Sequence, residues 1–309
     1  MKKIACTFFN ISNDEFKNYD NDTFFAPNAI NSFKKFHPDV EVHYITDENW
    51  KDYLSELSIS EYFDNIGLVR IHIIKELMKV RGYDKVIMLG IDTFTCSRLD
   101  EFLDNDTPDM ICSSGPPYRM STQYWTPPII NTEFEGVTYE DVLFINADVT
   151  CFNNVKAAEA LYETSIKYWT NHAEQGGMNY CFSNQQEVGI SVGIVDFPYV
   201  TTRVLYNVRS KGKAHGGFQM VRGKLLEGKG GIVVGDKYPT QEYYVNSNRL
   251  FTKDNKQIKV FHYAESLITR PKVSTDSELS YDEQLNEIKT MWFNKETIDF
   301  LENVCDCKF

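Results

Sequence analysis

An aspartate stands three residues after a run that is typical of a buried strand. The run Lys85–Leu89 is short and, after its first residue, wholly apolar, as in strands covered on both faces of a parallel sheet. It continues into Gly90, Ile91, Asp92 and Thr93. Sheets of this kind bind ligands at the carboxyl ends of their strands, where a carboxylate can hold a hard divalent cation. An aspartate in this place is also a common cap or turn residue, so its position alone leaves both roles open.

Two other groups of polar residues follow predicted elements. His262 ends the short apolar run that begins at Val260, and a lone histidine at a strand end is most often structural. Glu174 and Gln175 stand before Gly176-Gly177, for which the simplest interpretation is a helix that ends at the two glycines. Taken singly, each of these residues has an ordinary structural explanation.

The elements that would position these residues alternate between strands and helices. Alternating or apolar runs predict strands at 3–8, 40–46, 85–89, 109–113 and 142–145. Apolar residues at helical spacing predict helices at 27–36, 68–80 and 155–169. This alternation is typical of parallel strands joined by crossover helices. We therefore predict a single α/β domain with a mixed, mostly parallel central sheet and flanking helices.

Composition and missing motifs argue against several function classes. No GxGxxG fingerprint follows the first strand and no GxxxxGK[ST] loop occurs, which disfavours dinucleotide-dependent dehydrogenases and P-loop enzymes. The 44 acidic and 32 basic residues give a formal charge of −12, which disfavours a general nucleic-acid binder. There is no secretory h-region and no apolar run of about 18 residues. The seven cysteines are scattered, as in proteins with reduced thiols. These features predict a cytoplasmic protein without a membrane span.

The segment from Asp64 to Asp104 resembles the core of the family 8 glycosyltransferases. These are retaining enzymes of the GT-A fold that include glycogenin and bacterial lipooligosaccharide galactosyltransferases. In that family an arginine-bearing helix leads into a strand such as YDKVIYLDADTLV, whose DxD motif binds a metal and the donor diphosphate. The matching strand here reads YDKVIMLGIDTFT, so Gly90 replaces the first aspartate and Asp92 is retained. The resemblance implies that Asp92 binds Mn²⁺ or Mg²⁺ together with the donor, and that Arg70 contacts the donor.

Two further segments are implied to contact the donor. The segment FINAD, Phe144–Asp148, resembles a strand end whose backbone and asparagine lie near the donor sugar, with Asp148 in place of a glycine. This implies that Asn146 and Ala147 bind the donor. By position alone, the end of the first strand should hold the nucleobase, with Thr7, Phe8 and Asn10 as its contacts.

The segment EQGGMN, Glu174–Asn179, resembles the family motif DQxxLN. In that motif the acid contacts the sugar and the glutamine side chain lies beneath the anomeric carbon. The resemblance therefore implies Glu174 and Gln175 as the catalytic residues. The similar segment Gln241–Asn246 is a second candidate with less suitable spacing from the preceding helix.

The last match is the segment VFHY, Val260–Tyr263, followed by Arg270. It resembles HYxGxxKPW, in which the histidine is a metal ligand and the lysine contacts the donor phosphate. The resemblance implies that His262 joins Asp92 in a mixed nitrogen and oxygen site. Arg270 would replace the lysine with a guanidinium that can bind phosphate through two hydrogen bonds, although two additional residues separate it from His262.

The resemblance covers about Met1 to Lys272. It implies a GT-A catalytic domain at 1–272. The tail after Ser274 is acidic and has a helical pattern at 283–292, which predicts a helical extension at 273–309 packed on this domain. The domain carries an insertion at 209–231, here called the basic loop, that is rich in Lys, Arg and Gly. Such a loop is either solvated and mobile or a lid that binds an anionic acceptor. The second interpretation assigns the acceptor side to Lys211, Lys213, Arg222 and Lys224.

The combined prediction is a hexosyl- or pentosyltransferase that moves a sugar from a nucleoside diphosphate donor, expected to be a UDP-sugar, with retention. Its partners would be that donor and a glycan, protein or other anionic acceptor. A catalytically degenerate protein that binds a nucleotide sugar or glycan is a first alternative, supported by the loss of an acid at Gly90. A modified base in DNA is an alternative acceptor, and a nucleotidyltransferase on a related sheet is a further alternative.

Overall fold

The computed structural model describes residues 2–11, 21–54, 66–114, 145–167, 173–195, 198–200, 219–221, 224–226, 243–252, 254–262, 280 and 295–309, and the statements below concern these residues. The chain forms two compact units. Unit 1 comprises Met1–Lys17, His37–Ile91 and Leu99–Pro198, and unit 2 comprises Asn18–Phe36, Asp92–Arg98 and Tyr199–Phe309. None of the described helices is long and apolar enough to span a bilayer.

The helices and strands are numbered in chain order. The strands are β1 (Ile4–Asn10), β2 (Glu41–Thr46), β3 (Lys85–Leu89), β4 (Thr93–Thr95), β5 (Met110–Ser114), β6 (Ile145–Phe152), β7 (Val192–Val195), β8 (Pro198–Val200), β9 (Gln219–Val221), β10 (Lys224–Leu226), β11 (Tyr243–Asn246), β12 (Arg249–Thr252), β13 (Gln257–Ile258) and β14 (Val260–His262). The α-helices are α1 (Ala26–Phe36), α2 (Ile66–Lys79), α3 (Asp100–Leu103), α4 (Val155–Lys167), α5 (Ala173–Ser183), α6 (Gln185–Val188) and α7 (Lys295–Asn303). A π-helical turn, Asn21–Phe25, precedes α1, and a 3-10 helix occupies Trp50–Tyr53.

A six-stranded sheet forms the centre of unit 1, in the order β2-β1-β3-β6-β5-β7. The β1–β2, β1–β3 and β5–β7 pairs are parallel, and β6 is antiparallel to both of its neighbours. Five strands therefore point the same way and β6 is reversed. The apolar run predicted as a buried strand is β3, a central strand with every residue buried. The prediction of a mixed, mostly parallel α/β sheet with flanking helices is confirmed.

Helices α2, α4 and α5 supply the helical part of the core of unit 1. On α2 the residues Val69, Ile73 and Leu77, which recur at helical spacing, are all buried. They belong to one apolar cluster with side chains of α4, α5 and the sheet. Burying one such aliphatic side chain stabilises the folded state by about 1.5–3 kcal/mol. The helix ends before Gly82, whose φ of 69° lies in the left-handed region that favours glycine.

Strand β6 is longer than predicted. A strand was expected at 142–145, of which 142–144 lie outside the described residues; β6 begins at Ile145 and continues to Phe152, well beyond the predicted end. All of its residues except Asp148 are buried, so the alternation that marks a half-exposed strand is missing. The strand is also irregular, because Cys112 of β5 pairs with Thr150 while Ser113 pairs with Asn146. Residues 147–149 thus form a bulge that has no partner in β5.

Unit 2 contains short strands, and its β4–β14, β9–β10, β11–β12 and β12–β13 pairs are antiparallel. Strand β14 lies between β4 and β8, and β12 lies between β11 and β13. An aromatic core lies within this unit and includes Phe24, Phe94, Tyr243, Phe261 and Phe300. Strands β11 and β12 and helix α7 were not predicted from the sequence, because each is short and only partly apolar.

The end of the chain packs into the core of unit 2. Leu301 of α7 and the following Cys305 are fully buried. The carboxamide of Asn28 donates to the Lys308 carbonyl at 2.9 Å and accepts from the Lys308 amide at 2.7 Å. The proposed boundary between a domain at 1–272 and an extension at 273–309 stays a prediction, and the helix expected at 283–292 lies outside the described residues. All seven cysteines are buried and none is paired in a disulfide.

Candidate functional site

Two predicted metal ligands meet in unit 2. Asp92 directly precedes β4, and His262 is the last residue of β14. Strands β4 and β14 pair antiparallel with Thr93 opposite His262, so the pairing brings Asp92 next to the histidine. His262 Nε2 lies 3.4 Å from Asp92 Oδ1, and the two side chains are 1% and 13% exposed. A carboxylate and an imidazole are thereby held together in a largely buried place.

The pair suits a divalent cation as a partial ligand set. One carboxylate oxygen and one imidazole nitrogen are donors that Mn²⁺ accepts, and Mg²⁺ accepts the carboxylate more readily than the imidazole. Within the described ranges no group of three or more His, Cys, Asp or Glu side chains is arranged to hold an ion.

The predicted donor-contacting arginine and the predicted sugar-contacting acid meet in unit 1. Arg70 on α2 donates from Nη1 to Glu174 Oε1 on α5 at 3.1 Å, with side chains 20% and 14% exposed. The guanidinium carbon also lies 5.9 Å from the centre of the Phe9 ring. Arg70 Nε is buried and has no hydrogen-bond partner among the described residues. A guanidinium has five N–H donors, so Arg70 keeps donors for an anionic ligand beside this ion pair.

Two carboxamide side chains accept hydrogen bonds from backbone amides in the bulge of β6, one from α5 and one from β6 itself. Gln175 Oε1 accepts from the Ala147 amide at 3.3 Å. Asn146 Oδ1 accepts from the Asp148 amide at 2.7 Å. The bulge withdraws these two amides from the strand ladder, and side chains satisfy them instead. None of the described residues with a positive φ lies in this segment, so Asp148 needs no glycine-like conformation.

The glycines that follow Gln175 do not end a helix. Helix α5 runs from Ala173 through Gly176-Gly177 to Ser183, so the interpretation of a helix stop is wrong. A Cβ at position 177 would lie 2.2 Å from Ser165 Oγ and 3.0 Å from Leu161 Cδ1. Gly177 therefore permits close packing of α5 on α4. This packing sets the position of Glu174 and Gln175 in the first turn of α5.

The three predicted nucleobase contacts lie in β1 and differ in exposure. Thr7 is buried and donates from its hydroxyl to the Ile87 carbonyl at 3.2 Å, and Phe8 is fully buried. Asn10, the last residue of β1, is partly exposed and donates from Nδ2 to the Tyr44 hydroxyl at 2.9 Å. Asn10 is thus the member of this group whose side chain could reach a ligand at the carboxyl end of the strand.

Several predicted site residues lie outside the described residues. These are Lys211, Lys213 and Arg222 of the basic loop, the phosphate contact Arg270, and the alternative pair Gln241 and Glu242. Lys224 is the first residue of β10, which pairs with β9 as an antiparallel hairpin inside the basic loop. The composition of the loop did not indicate this hairpin.

One residue that organises the site was not assigned a role from the sequence. Asn179 stands four positions after Gln175 on α5 and bonds to the backbone of Ile145 and of Gln175. The available signal was the spacing, since residues i and i+4 share one face of a helix. Two carboxamides on one buried helix face need hydrogen-bond partners, which β6 provides.

Comparison with known proteins gives distant structural similarities. No family model and no curated protein matches the chain. Among solved structures, the glycosyltransferase GlyE of Streptococcus pneumoniae TIGR4 is 14% identical, with 63% of this chain and 45% of that chain covered and a TM-score of 0.37. The bifunctional WbbM glycosyltransferase is 12% identical, with coverages of 63% and 39% and a TM-score of 0.41. Mouse xyloside xylosyltransferase 1 is 13% identical, with coverages of 64% and 88% and a TM-score of 0.41.

These structural neighbours are glycosyltransferases. The matched part of this chain spans less than half of the GlyE and WbbM chains. At such identities and TM-scores these similarities do not indicate the function of this chain.

Proposed function

We propose that this chain is a glycosyltransferase that transfers a sugar from a nucleoside diphosphate donor to an acceptor. The expected donor is a UDP-sugar and the expected stereochemical outcome is retention, as the resemblance to the family 8 enzymes implies. The observation that carries the proposal is the 3.4 Å contact between His262 Nε2 and Asp92 Oδ1. The resemblance assigns both residues to one metal, although they come from distant parts of the chain.

Asp92 and His262 are the proposed metal ligands. In this role they would hold Mn²⁺ or Mg²⁺, which supplies positive charge to neutralise the diphosphate as it leaves the sugar. The His262 side chain is almost completely buried, so its ring is fixed in place before any ligand binds. A preorganised ligand stabilises the charge that develops in the transition state without having to reorganise.

Arg70 is proposed to bind the donor through the guanidinium donors that Glu174 leaves unused. Glu174 in turn is held by Arg70 as an oriented hydrogen-bond acceptor, which suits the hydroxyl groups of a sugar. Gln175 is proposed to lie beside the anomeric carbon. The resemblance implies that the departing phosphate takes the acceptor proton, so Glu174 and Gln175 orient the sugar and do not serve as the general base.

The acceptor is proposed to be a glycan, a protein or another anionic molecule that meets the basic loop. The concentration of Lys and Arg at 209–231 contrasts with the formal charge of −12 on the chain and would attract an anion. Neutralising Lys211, Lys213, Arg222 and Lys224 together is expected to impair transfer more than donor binding. If DNA stimulated sugar transfer and this effect weakened as the salt concentration rose, the result would instead support the alternative acceptor, a modified base in DNA.

A degenerate binding protein is the second candidate. It is favoured by Gly90, which replaces an acid of the DxD motif, and by the small ligand set of Asp92 and His262. One experiment separates the two functions. The full chain is incubated with a panel of UDP-, GDP-, ADP- and CMP-sugars, with Mn²⁺ or with chelator, and both nucleotide binding and sugar release are measured.

We expect one UDP-sugar to bind and to release UDP in the presence of Mn²⁺. Binding of a nucleotide sugar without release, or without transfer to any added acceptor, would support the degenerate protein. If no member of the panel binds, the proposed function is wrong. Nuclear magnetic resonance of the released sugar would report its anomeric configuration.

A further inference from the structure

The carboxamide of Asn179 makes three hydrogen bonds to backbone atoms. Its Oδ1 accepts from the Ile145 amide at 2.9 Å, and its Nδ2 donates to the Ile145 carbonyl at 3.1 Å. The same Nδ2 donates to the Gln175 carbonyl at 2.8 Å. Asn179 is 8% exposed. A carboxamide offers one acceptor and two donors on neighbouring atoms, so it can bond both backbone groups of a single residue.

These bonds join the two segments that carry the proposed sugar contacts. Ile145 is the first residue of β6 and is followed by Asn146 and Ala147. Gln175 lies one turn before Asn179 on α5, and its Oε1 accepts from the Ala147 amide. Asn179 therefore fixes the strand at 145, while Gln175 touches the same strand two residues later.

The bulge of β6 explains why the hydrogen bonds of Asn179 are needed. Residues 147–149 have no partner in β5, so the ladder on that side does not fix their position. On this side the bulge is held by side chains, namely Gln175 on the Ala147 amide, Thr150 on the Ala147 carbonyl and Asn146 on the Asp148 amide. Of these three, Gln175 belongs to another element, α5. If the distance between α5 and β6 changed, Gln175 would lose its bond to Ala147.

We propose that Asn179 is a positioning residue for the transfer reaction, and that it acts by holding Gln175 and the bulge of β6 in a single fixed geometry. The inference rests on the proposed function, because it assumes that Gln175 lies beside the reacting sugar. Asn179 itself touches no substrate. Its substitution should therefore lower kcat through Gln175 and leave the binding of UDP alone unchanged.

A double-mutant cycle tests this role. The rate of UDP release is measured for the wild type, Asn179→Ala, Gln175→Ala and the double variant, with the nucleotide sugar that the panel identifies. We expect each single variant to lower kcat on the order of 10- to 100-fold, since small displacements of catalytic groups have effects of this size. The double variant should be slower than Gln175→Ala by far less than the loss seen in Asn179→Ala alone, because only the bulge of β6 is then left for Asn179 to position.

Asn28 provides a matched control. Its carboxamide is also buried and forms hydrogen bonds with both backbone groups of Lys308 in unit 2. The variant Asn28→Ala therefore removes hydrogen bonds of the same kind without changing a proposed donor contact. We expect Asn28→Ala to lose stability, measured by urea unfolding, and to keep its kcat. The affinity for UDP, measured by calorimetry, should be unchanged in both asparagine variants.

The outcomes distinguish this inference from the proposed function. If the wild type neither binds nor turns over any nucleotide sugar, the proposed function fails and the inference fails with it. If the wild type is active but the losses of the two single variants multiply in the double variant, the function stands and the positioning role is wrong. An Asn179→Ala variant with wild-type kcat would also overturn the role.

Discussion

Arg70 on α2 and Glu174 on α5 form a 3.1 Å ion pair that is largely shielded from water. The sequence resemblance assigned the arginine to the donor and the acid to its sugar, without indicating that they contact each other. The pairing means that each residue is oriented by the other. It also means that removing one residue leaves the other as a partly buried charge without its partner.

The first prediction concerns this pair. Arg70→Ala should raise the donor KM and lower kcat, because a lost contact to a charged group acts in both the ground state and the transition state. The loss in kcat/KM should be about 10- to 100-fold, as a hydrogen bond to a charged group contributes about 1.5–3 kcal/mol. Steady-state kinetics with the identified donor would measure it.

Arg81→Ala is the control for Arg70→Ala. Arg81 is exposed, stacks on Tyr53 and donates to the Asp52 carbonyl, so the variant has the same change in net charge without a proposed donor contact. It should keep the wild-type kinetics. Unchanged nucleotide affinity and unchanged kcat in Arg70→Ala would place Arg70 outside the donor site.

The second prediction concerns the close packing of α5 on α4. Gly177→Ala should destabilise the protein by about 1–3 kcal/mol, the usual cost of inserting a methyl group into a packed core, although alanine is the better helix former. Ser165 is fully buried and its Oγ has no hydrogen-bond partner among the described residues, so Ser165→Ala alone should be neutral or stabilising. Urea unfolding would give both free energies.

The double variant Gly177→Ala/Ser165→Ala should recover most of the lost stability. The most severe contact of the new methyl group is with Ser165 Oγ, and the second substitution removes that atom. If Gly177→Ala is as stable as the wild type, or if Ser165→Ala does not rescue it, the two helices do not pack as closely as described.

The sequence indicated those elements whose local pattern is regular. Strand β3 was predicted with its observed bounds because Lys85–Leu89 is a compact apolar run, and α2 was predicted because its apolar residues repeat at helical spacing. The end of strand β6 was placed too early, since burial on both faces and a bulge remove the alternation. The alternative interpretation of Gly176-Gly177 as a helix end was wrong, because a glycine that allows close packing and a glycine that ends a helix look alike in sequence.

The site was predictable only where a family resemblance supplied long-range information. The contact between Asp92 and His262 depends on the pairing of β4 with β14, which no local pattern reveals. The same holds for the Arg70–Glu174 pair. The role of Asn179 required the hydrogen-bond geometry, because an asparagine inside a helix has many possible partners.

The third prediction concerns acid stability. His72 on α2 is 5% exposed and lies edge-on to the Tyr162 ring. Burial, reinforced by the charge of Lys75, lowers the pKa of His72 from 6.5 to about 4. Glu76 Oε1 lies 3.7 Å from the ring, but at that distance its attraction does not offset the cost of burying the imidazolium.

Because the folded pKa of His72 is below the unfolded value, the unfolded chain binds more protons between pH 4 and 6.5. The contribution of His72 to stability is therefore complete above pH 6.5 and is lost as the pH falls towards 4. Its size is at most on the order of 3 kcal/mol. In His72→Phe the free energy of unfolding should fall less steeply over this range than in the wild type.

Burial also lowers the pKa of His43. The effect of His43 on the free energy of unfolding has the same sign as that of His72 and is present in both the wild type and His72→Phe. The difference between the two pH profiles therefore isolates His72. Identical slopes for the wild type and His72→Phe, measured by urea unfolding at several pH values, would show that His72 titrates normally in the folded protein.

The fourth prediction concerns the proposed metal ligands, Asp92 and His262, and the measurement is the Mn²⁺ dependence of UDP release from the identified donor. The rate is recorded across a Mn²⁺ titration and in excess chelator for the wild type, Asp92→Ala and His262→Ala. Asp254→Ala serves as a control, because Asp254 is an exposed aspartate of unit 2 that accepts a local hydrogen bond from the Thr252 hydroxyl. We expect release by the wild type and by Asp254→Ala to require Mn²⁺, and both ligand variants to lose the Mn²⁺-dependent rate. Equal rates for the wild type and Asp92→Ala in excess chelator would contradict the account.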